Sequence, residues 1–248
     1  MTAALDDDRA TVRTARARRS VLDSGTVAVA DLVRPVDALA RRAVPPLPVA
    51  PALETVLPDG LRRGSTVAVR GSVSLLLALL GGPSGAGAWC ALVGLPSISA
   101  EAAVEYGVDL SRLALVPAPG PGWLTAVGAL LDAVDIVAVR PPARVTDGDL
   151  RRLAARTRGR AAVLMPYLGD GVHWPRADVE VGLSAGQWAG VGSGHGRLRA
   201  RAVTVTARGR AAAARPRSAQ CFLPDPNGGI GTAVSSTGAG ALPVLRAG

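Results

Sequence analysis

The sequence predicts an α/β domain with a mostly parallel sheet flanked by helices, and with antiparallel strands added at the C-terminal end. Between residues 51 and 224, apolar runs of strand length alternate with segments of helical periodicity, as they do in βαβ units. These runs are apolar almost throughout, as burial on both faces of a sheet requires. Beyond residue 171, apolar and polar residues alternate instead, which is typical of antiparallel strands.

The elements follow from these patterns in chain order. The predicted parallel strands are residues 66–69, 88–93, 113–116, 136–139 and 161–165. Helices are predicted at 73–80, 99–106, 123–134 and 147–158, because apolar residues recur at core-facing spacing and Gly159 follows the last one as a stop. The strands predicted to be antiparallel are residues 178–184 and 197–208.

Two segments flank the predicted core of residues 51–224. Residues 1–50 are predicted to form an N-terminal helical arm that ends in a Pro-rich linker, and residues 225–248, rich in Gly, Ser, Thr and Ala, a flexible tail. Each segment carries apolar residues that are candidates for partner binding. In the arm these are Val29, Leu32, Val36 and Leu39, and in the tail Leu242, Val244 and Leu245.

Composition limits the chemistry and suggests a polyanionic partner. All 28 basic residues are arginine, so no lysine is present for a Schiff base, a general base or a phosphate loop. The net charge of +9 favours contact with phosphates, because clustered guanidinium groups release counterions from nucleic acid on binding. The two cysteines are predicted to be reduced and buried, and no apolar run reaches about 20 residues. The sequence therefore predicts a cytoplasmic protein without membrane contacts.

A strand, turn and helix at residues 64–80 stand where nucleotide-binding α/β proteins carry their phosphate loop. Here the turn consists of Arg70, Gly71 and Ser72, with Ser74 just beyond it, and it is too short to enclose phosphates. His173, His195 and the cysteines show no metal-site spacing, and no serine has a His and acid partner in sequence context. We therefore expect no catalytic residue, no metal and no cofactor.

Two stretches are candidate DNA contacts. One is a basic cluster on a predicted helix, formed by Arg151, Arg152, Arg156 and Arg158, for which a solvated helix face is the competing interpretation. The other is the connection at residues 167–176, where Trp174 and Arg176 offer an aromatic and a basic side chain that can stack on bases. Its competing interpretation is that Trp174 packs over the edge of the sheet.

Three segments carry a resemblance to the RecA family over residues 52–223. Residues 57–71 (LPDGLRRGSTVAVRG) resemble the segment that leads into that family's phosphate-loop strand, and residues 106–113 (YGVDLSRL) resemble its G-V-D-x-x-x-L segment. Residues 134–139 (VDIVAV) resemble the strand that ends in the Walker B aspartate. The chain resembles most closely the actinobacterial ImuA-prime proteins, RecA-like accessory proteins of mutagenic translesion synthesis. The resemblance implies a RecA-like core.

The departures from the family pattern concern nucleotide chemistry. The phosphate-loop lysine and the hydroxyl residue after it correspond to positions near Ser72 and Ser74, where a hydroxyl is kept and the charge is lost. The catalytic glutamate corresponds to Leu95 and the Walker B aspartate to Arg140, which cannot ligate Mg²⁺. Phosphoryl transfer depends on these groups, so the resemblance implies a pseudo-ATPase.

The resemblance also implies a role and partners. It implies a non-catalytic adaptor in the DNA damage (SOS) response, which links an ImuB-like polymerase-related protein and an error-prone replicative-type DNA polymerase for translesion synthesis and induced mutagenesis. Further implied contacts are DNA, a RecA-type recombinase or a second copy of the chain, with nucleoid association after DNA damage. Two alternatives stay open: a DNA-dependent ATPase or recombinase of the RecA family, and a RecA-like cell-division regulator.

Overall fold

The computed structural model describes residues 44–169, 172–184, 186–191, 196–209 and 215–233. The predicted arm, including Val29, Leu32, Val36 and Leu39, lies outside the described residues. The same holds for the end of the tail with Leu242, Val244 and Leu245.

The described part of the chain contains one sheet and four helices. The strands are β1 (Val67–Arg70), β2 (Cys90–Val93), β3 (Leu113–Val116), β4 (Ile136–Val139), β5 (Val163–Leu168), β6 (Val179–Leu183), β7 (Gln187–Val191), β8 (Gly196–Gly209), β9 (Arg217–Phe222) and β10 (Gly231–Thr232). The helices are α1 (Val73–Gly85), α2 (Ala100–Glu105), α3 (Trp123–Ala133) and α4 (Asp147–Arg160). None of these helices is both long and apolar enough to cross a bilayer.

The strand order confirms the predicted fold class. Six strands run parallel in the order β3-β2-β4-β5-β1-β6. The long strand β8 then pairs antiparallel with β6, and β9 and β10 continue the sheet beyond it. Strand β7 pairs with the first part of β8 as a hairpin. The carboxyl ends of the parallel strands thus meet at one edge, where ligands bind in open α/β sheets.

Helices cover both faces of the parallel strands. Val67 and Val69 of β1 belong to a core cluster with the leucines of α1, whereas Ala68 between them belongs to a second cluster with α3 and α4. Successive residues of a strand point to opposite faces, so layers on both sides bury every residue of β2, β4 and β5. Burial on both faces explains why the strand sequences are continuously apolar.

Strand β6 differs from its predicted orientation. The alternation in residues 178–184 indicates an antiparallel strand, but β6 pairs parallel with β1 and antiparallel with β8, at the junction of the two parts of the sheet. Of the three apolar residues that alternate along this strand, Val181 is fully buried, while Val179 and Leu183 are half-buried. Alternation reports one buried face, and it does not report the direction of the neighbouring strand.

Helix α4 also differs from the prediction at its C-terminus. It continues past Gly159 to Arg160 and ends where Ala161 adopts a left-handed conformation with φ 54°. The left-handed capping position that glycine usually fills is therefore occupied by alanine here. Strands β7, β9 and β10 were not predicted, because their short sequences are interrupted by glycine or polar residues.

Parts of the predicted linker and tail pack on the domain. Leu47 and Val49 are buried in the first core cluster, and the backbones of Leu47 and Leu61 exchange two hydrogen bonds of 2.9 and 2.8 Å. At the other end, β10 pairs with β9, and a side chain at Gly229 would come within 2.8 Å of the carbonyl oxygen of Glu105. Residues in 44–50 and 225–233 thus contribute to the packing of the domain, although their sequences predict a linker and a flexible tail.

Candidate functional site

The turn between β1 and α1 lies at the carboxyl edge of the sheet. Strand β1 ends at Arg70, and Ser72 caps α1 by accepting a hydrogen bond of 3.1 Å from the N–H of Leu75. Gly71 adopts φ 67°, a left-handed conformation that favours glycine, and its N–H donates to the carbonyl oxygen of Leu168 over 2.9 Å. This turn therefore directs a backbone donor at the neighbouring strand β5, where a phosphate loop would direct its donors at a phosphate.

Arg70 joins the turn to β6 and to the chain that follows β5. Its Nε and Nη2 donate to Oε1 and Oε2 of Glu180, each over 3.0 Å, and its Nη1 donates to the carbonyl oxygen of Val172 over 3.0 Å. Both charged side chains are about one-third exposed, at 32% each. Two parallel hydrogen bonds between a guanidinium and a carboxylate form the strong, geometrically specific type of ion pair. Arg70 thus links the start of the β1–α1 turn to β6 through Glu180 and to the chain after β5 through Val172.

This ion pair sets the protonation state of Glu180. The hydrogen bonds from Arg70 lower the pKa of Glu180 below its ordinary value, while partial burial opposes the shift. The positive charge of Arg70 adds to the lowering, and His173 and Arg208 contribute smaller amounts. A carboxylate whose two oxygens are engaged and whose pKa is lowered is a poor general base.

The two other positions that the resemblance assigned to ATP chemistry lie at the same edge. Leu95 is buried beyond the end of β2. Arg140 follows β4 and is exposed, with its guanidinium carbon 5.5 Å from the centroid of the Tyr167 ring. A side chain at Gly94 would come within 3.2 Å of the carbonyl oxygen of Arg140, so glycine allows the backbones that follow β2 and β4 to lie close together. The edge presents cations and apolar side chains at positions where Mg²⁺ would require oxygen ligands.

The predicted basic cluster lies on α4, and part of its charge is neutralised. Asp132 of α3 accepts hydrogen bonds from both Arg156 and Arg160, and these bonds lower the pKa of Asp132. Arg152 lies 3.8 Å from Asp149 within the same helix. Arg151 and Arg158 are exposed on this helix. The structure thus places all four predicted arginines on one helix but gives two of them acidic neighbours.

Trp174 requires a correction. Its side chain is only 4% exposed and belongs to the second core cluster, beside the residues of α3 and α4. A ring enclosed in this way cannot offer a face to a nucleic-acid base, so the packing interpretation holds. Arg176, two residues later, is half-buried, and its Nε has no hydrogen-bond partner in the described part of the chain.

Two features were missed by the sequence reasoning. A cavity of about 210 Å³ opens at the opposite, amino edge of β1 and β6, and its lining includes Asp59, Arg62, Asp178 and Arg217. This volume is below the range of about 300–1,000 Å³ that is usual for ligand pockets. The second feature is a hairpin face with arginines at alternating positions of β8, a spacing that is visible in the sequence. Within the described ranges, no three His, Cys, Asp or Glu residues come together as a metal site.

The architecture is similar to that of a solved structure. The crystal structure of the RadB recombinase superposes on 73% of this chain and 96% of its own, with a TM-score of 0.53 and 15% identity. The fold is RecA-like. At this level of identity, the RecA-like fold is what the two proteins share.

Sequence comparisons give relatives for the same region. The family model described as the MT3502 N-terminal domain matches residues 55–176, which include β1 to β5 of the RecA-like fold. Over 114 residues the chain is 38% identical to the uncharacterized protein Rv3395c of Mycobacterium tuberculosis. That alignment covers 46% of this chain and 56% of Rv3395c, so the chain spans little more than half of its relative.

Proposed function

We propose that this protein is a non-catalytic RecA-like adaptor in DNA damage tolerance. The observation that carries the proposal is the β1–α1 turn, which Arg70 ties to Glu180 and Val172 and in which Gly71 donates to Leu168. Two backbone donors at this turn, the N–H groups of Gly71 and Leu75, are thus bonded to Leu168 and Ser72 of the protein itself. We infer that the strand, turn and helix of a nucleotide site are kept. Residues of the turn form hydrogen bonds within the protein where a phosphate loop would contact a nucleotide.

The chemistry of the surrounding edge supports the same proposal. Phosphoryl transfer is catalysed by positioning and by neutralising the charge on the phosphates, through a lysine, a metal ion and a residue that orients the nucleophile. The chain has no lysine, and Leu95 and Arg140 stand at the positions that correspond to the base and the metal ligand. We therefore propose that the protein is a pseudo-ATPase that works by binding partners.

The proposed partners are an ImuB-like polymerase-related protein and an error-prone replicative-type DNA polymerase, in line with the resemblance to ImuA-prime proteins. A surface suited to one of them lies at the end of the sheet. Strand β3 pairs only with β2 among the described strands, and Leu115 on it is 59% exposed. An apolar edge strand with unpaired backbone groups is a template for a further strand, so natural proteins usually cover it. We propose that the ImuB-like protein covers β3.

Nucleotide assays test the catalytic half of this proposal. We expect no thermal stabilisation by ATP with Mg²⁺ and no phosphate release, with or without single-stranded DNA. The control is the S72A/S74A variant, which removes both hydroxyls of the turn. Mg²⁺-dependent hydrolysis that disappears in this variant would assign ATPase activity to the turn and overturn the pseudo-ATPase assignment.

Partner capture tests the adaptor half. The tagged full chain should recover the ImuB-like protein and the polymerase from DNA-damaged cells, and fluorescently tagged chain should move to the nucleoid after damage. Leu115→Arg should abolish recovery of the ImuB-like protein. Val104→Arg places the same charge at an exposed apolar position of α2 and should leave recovery unchanged. Equal recovery by both variants would exclude β3 as the docking strand.

A DNA-dependent ATPase or recombinase is the second candidate function. The observation that favours it is the structural similarity to the RadB recombinase, which covers 96% of that chain. The same ATPase assay separates the two candidates, since hydrolysis stimulated by single-stranded DNA supports a recombinase and its absence supports the adaptor.

A further inference from the structure

Three arginines lie on one face of the hairpin formed by β7 and β8. Arg197, Arg199 and Arg201 occupy alternating positions of β8, and alternating residues of a strand point to the same face. Their spacing along the strand is about 6.8 Å, twice the rise per residue of an antiparallel strand. Arg197 and Arg199 are exposed, and Arg201 is half-buried. The hairpin therefore presents a row of three positive charges.

Among the described residues, no acidic side chain forms an ion pair with these three arginines. The ion pairs of the described residues use the arginines at positions 63, 70, 112, 152, 156 and 160, and none of them includes an arginine of this row. The Nε of Arg201 has no hydrogen-bond partner in the described part of the chain. In contrast to the arginines of α4 that bind Asp132, this row keeps its full charge for a ligand.

An exposed aromatic ring completes the row. Trp188 of β7 lies directly opposite Arg201 in the register, on the same face, and is 48% exposed. The guanidinium carbon of Arg201 lies 5.8 Å from the centroid of the Trp188 ring. Such a contact orients the guanidinium and the ring together while about half of the Trp188 surface stays accessible to a ligand.

Glycines on the β7 side leave room for these arginine side chains. A side chain at Gly186 would come within 2.9 Å of the Nε of Arg201, and one at Gly190 within 3.1 Å of the Cγ of Arg199. The side chains of Arg201 and Arg199 thus lie close to the backbone of Gly186 and Gly190, where no Cβ is in the way. We call the surface formed by Trp188, Arg197, Arg199 and Arg201 the hairpin face.

We propose that the hairpin face binds single-stranded nucleic acid. The three guanidinium groups follow one line along the strand, as a positively charged surface that tracks a phosphate backbone requires. Trp188 stacks on a base whose face is accessible only when the strand is unpaired. The contact goes beyond the proposed adaptor function, which requires protein partners and no direct contact with nucleic acid.

Fluorescence anisotropy with a labelled oligothymidylate tests the proposal on the full chain. The R197Q/R199Q/R201Q variant removes three charges from the hairpin face, and R151Q/R152Q/R158Q removes three from α4 as a matched control. The hairpin variant should lower the slope of log affinity against log salt by roughly 2, since each lost phosphate contact accounts for about 0.7. The α4 variant should keep the slope of the wild type. Circular dichroism of each variant checks that it folds.

Trp188→Ala gives a second, uncharged readout. It should lower the affinity roughly 5- to 150-fold, which corresponds to the loss of stacking on one base. Leu198→Ala truncates an exposed apolar side chain next to Arg197 on the opposite face and should leave the affinity unchanged. Three results would each overturn the proposal: equal losses in the hairpin and α4 variants, a W188A variant that binds like the wild type, or tighter binding of duplex DNA than of the single strand.

Discussion

Replacing Glu180 by Gln tests how the turn at the carboxyl edge is held. The substitution keeps the size of the side chain but removes the negative charge to which Arg70 donates two hydrogen bonds of 3.0 Å. One of the two carboxylate oxygens is replaced by an amide NH₂ group, which donates hydrogen bonds and cannot accept one from Arg70. Arg70 then keeps its bond to the carbonyl oxygen of Val172 and loses its charged partner.

The expected loss follows from the geometry of the pair. Exposed ion pairs contribute about 0.2–1 kcal/mol, and hydrogen bonds to charged groups contribute about 1.5–3 kcal/mol. With both side chains about two-thirds buried, we expect Glu180→Gln to lower the free energy of unfolding by about 1–2 kcal/mol. A chain of this size loses roughly 2–4 °C of Tm per kcal/mol, so Tm should fall by roughly 2–8 °C.

The pH dependence of this loss identifies its cause. Because the pKa of Glu180 is lowered by folding, its contribution to stability is present above its ordinary pKa of 4.5 and is lost as the pH falls through the lower value of the folded protein. Urea unfolding of the wild type and the variant should thus differ at neutral pH and converge in acid. Glu54→Gln, at an exposed carboxylate outside the described ion pairs, should show no such difference. A gap that is equal at neutral and acid pH would refute the ion-pair explanation.

Three further predictions concern the core, the cap and the thiols. Leu76→Asp should leave no folded protein by circular dichroism, since it places a charge at a fully buried position, whereas Val104→Asp at an exposed helix position should stay folded. Ser72→Ala removes the cap of α1 and should lower the free energy of unfolding by about 1 kcal/mol in urea titrations, without affecting partner binding. Burial raises the pKa of Cys90 to about 12 and that of Cys221 to about 11, so both thiols should react with a thiol reagent only after unfolding, and rapid labelling of the native chain at mildly alkaline pH would contradict this.

The parallel half of the fold was predictable because its signal is local. Every residue of a strand such as Ile136–Val139 is buried, and a continuous apolar run records this in the sequence itself. The order of the strands in the sheet was not predicted, because an apolar run reports burial and does not report which strands are neighbours. The pairing of β6 was predicted only on its β8 side, which is antiparallel, and not on its β1 side, which is parallel, since the alternation of Val179, Val181 and Leu183 is the same whichever way its neighbours run.

The candidate site was predictable only in part. Its place after β1 and the absence of lysine could be read directly from the sequence. The partner of Arg70 could not, because Glu180 is 110 residues away and only the register of β6 on β1 brings the two together. The burial of Trp174 could not be predicted either, because an aromatic residue in a loop has the same sequence signal whether it faces solvent or the core.

The edges of the sheet have a consequence for stoichiometry. At one end β10 has two residues, and the outer strand of the hairpin, β7, is interrupted by a shift in register after Ala189. Short and irregular edges resist the addition of a further strand. Strand β3 is regular and apolar, so the described sheet can be extended at one side only. We therefore expect the described sheet to accept one added strand, so that a contact of this kind produces pairs in place of open-ended chains.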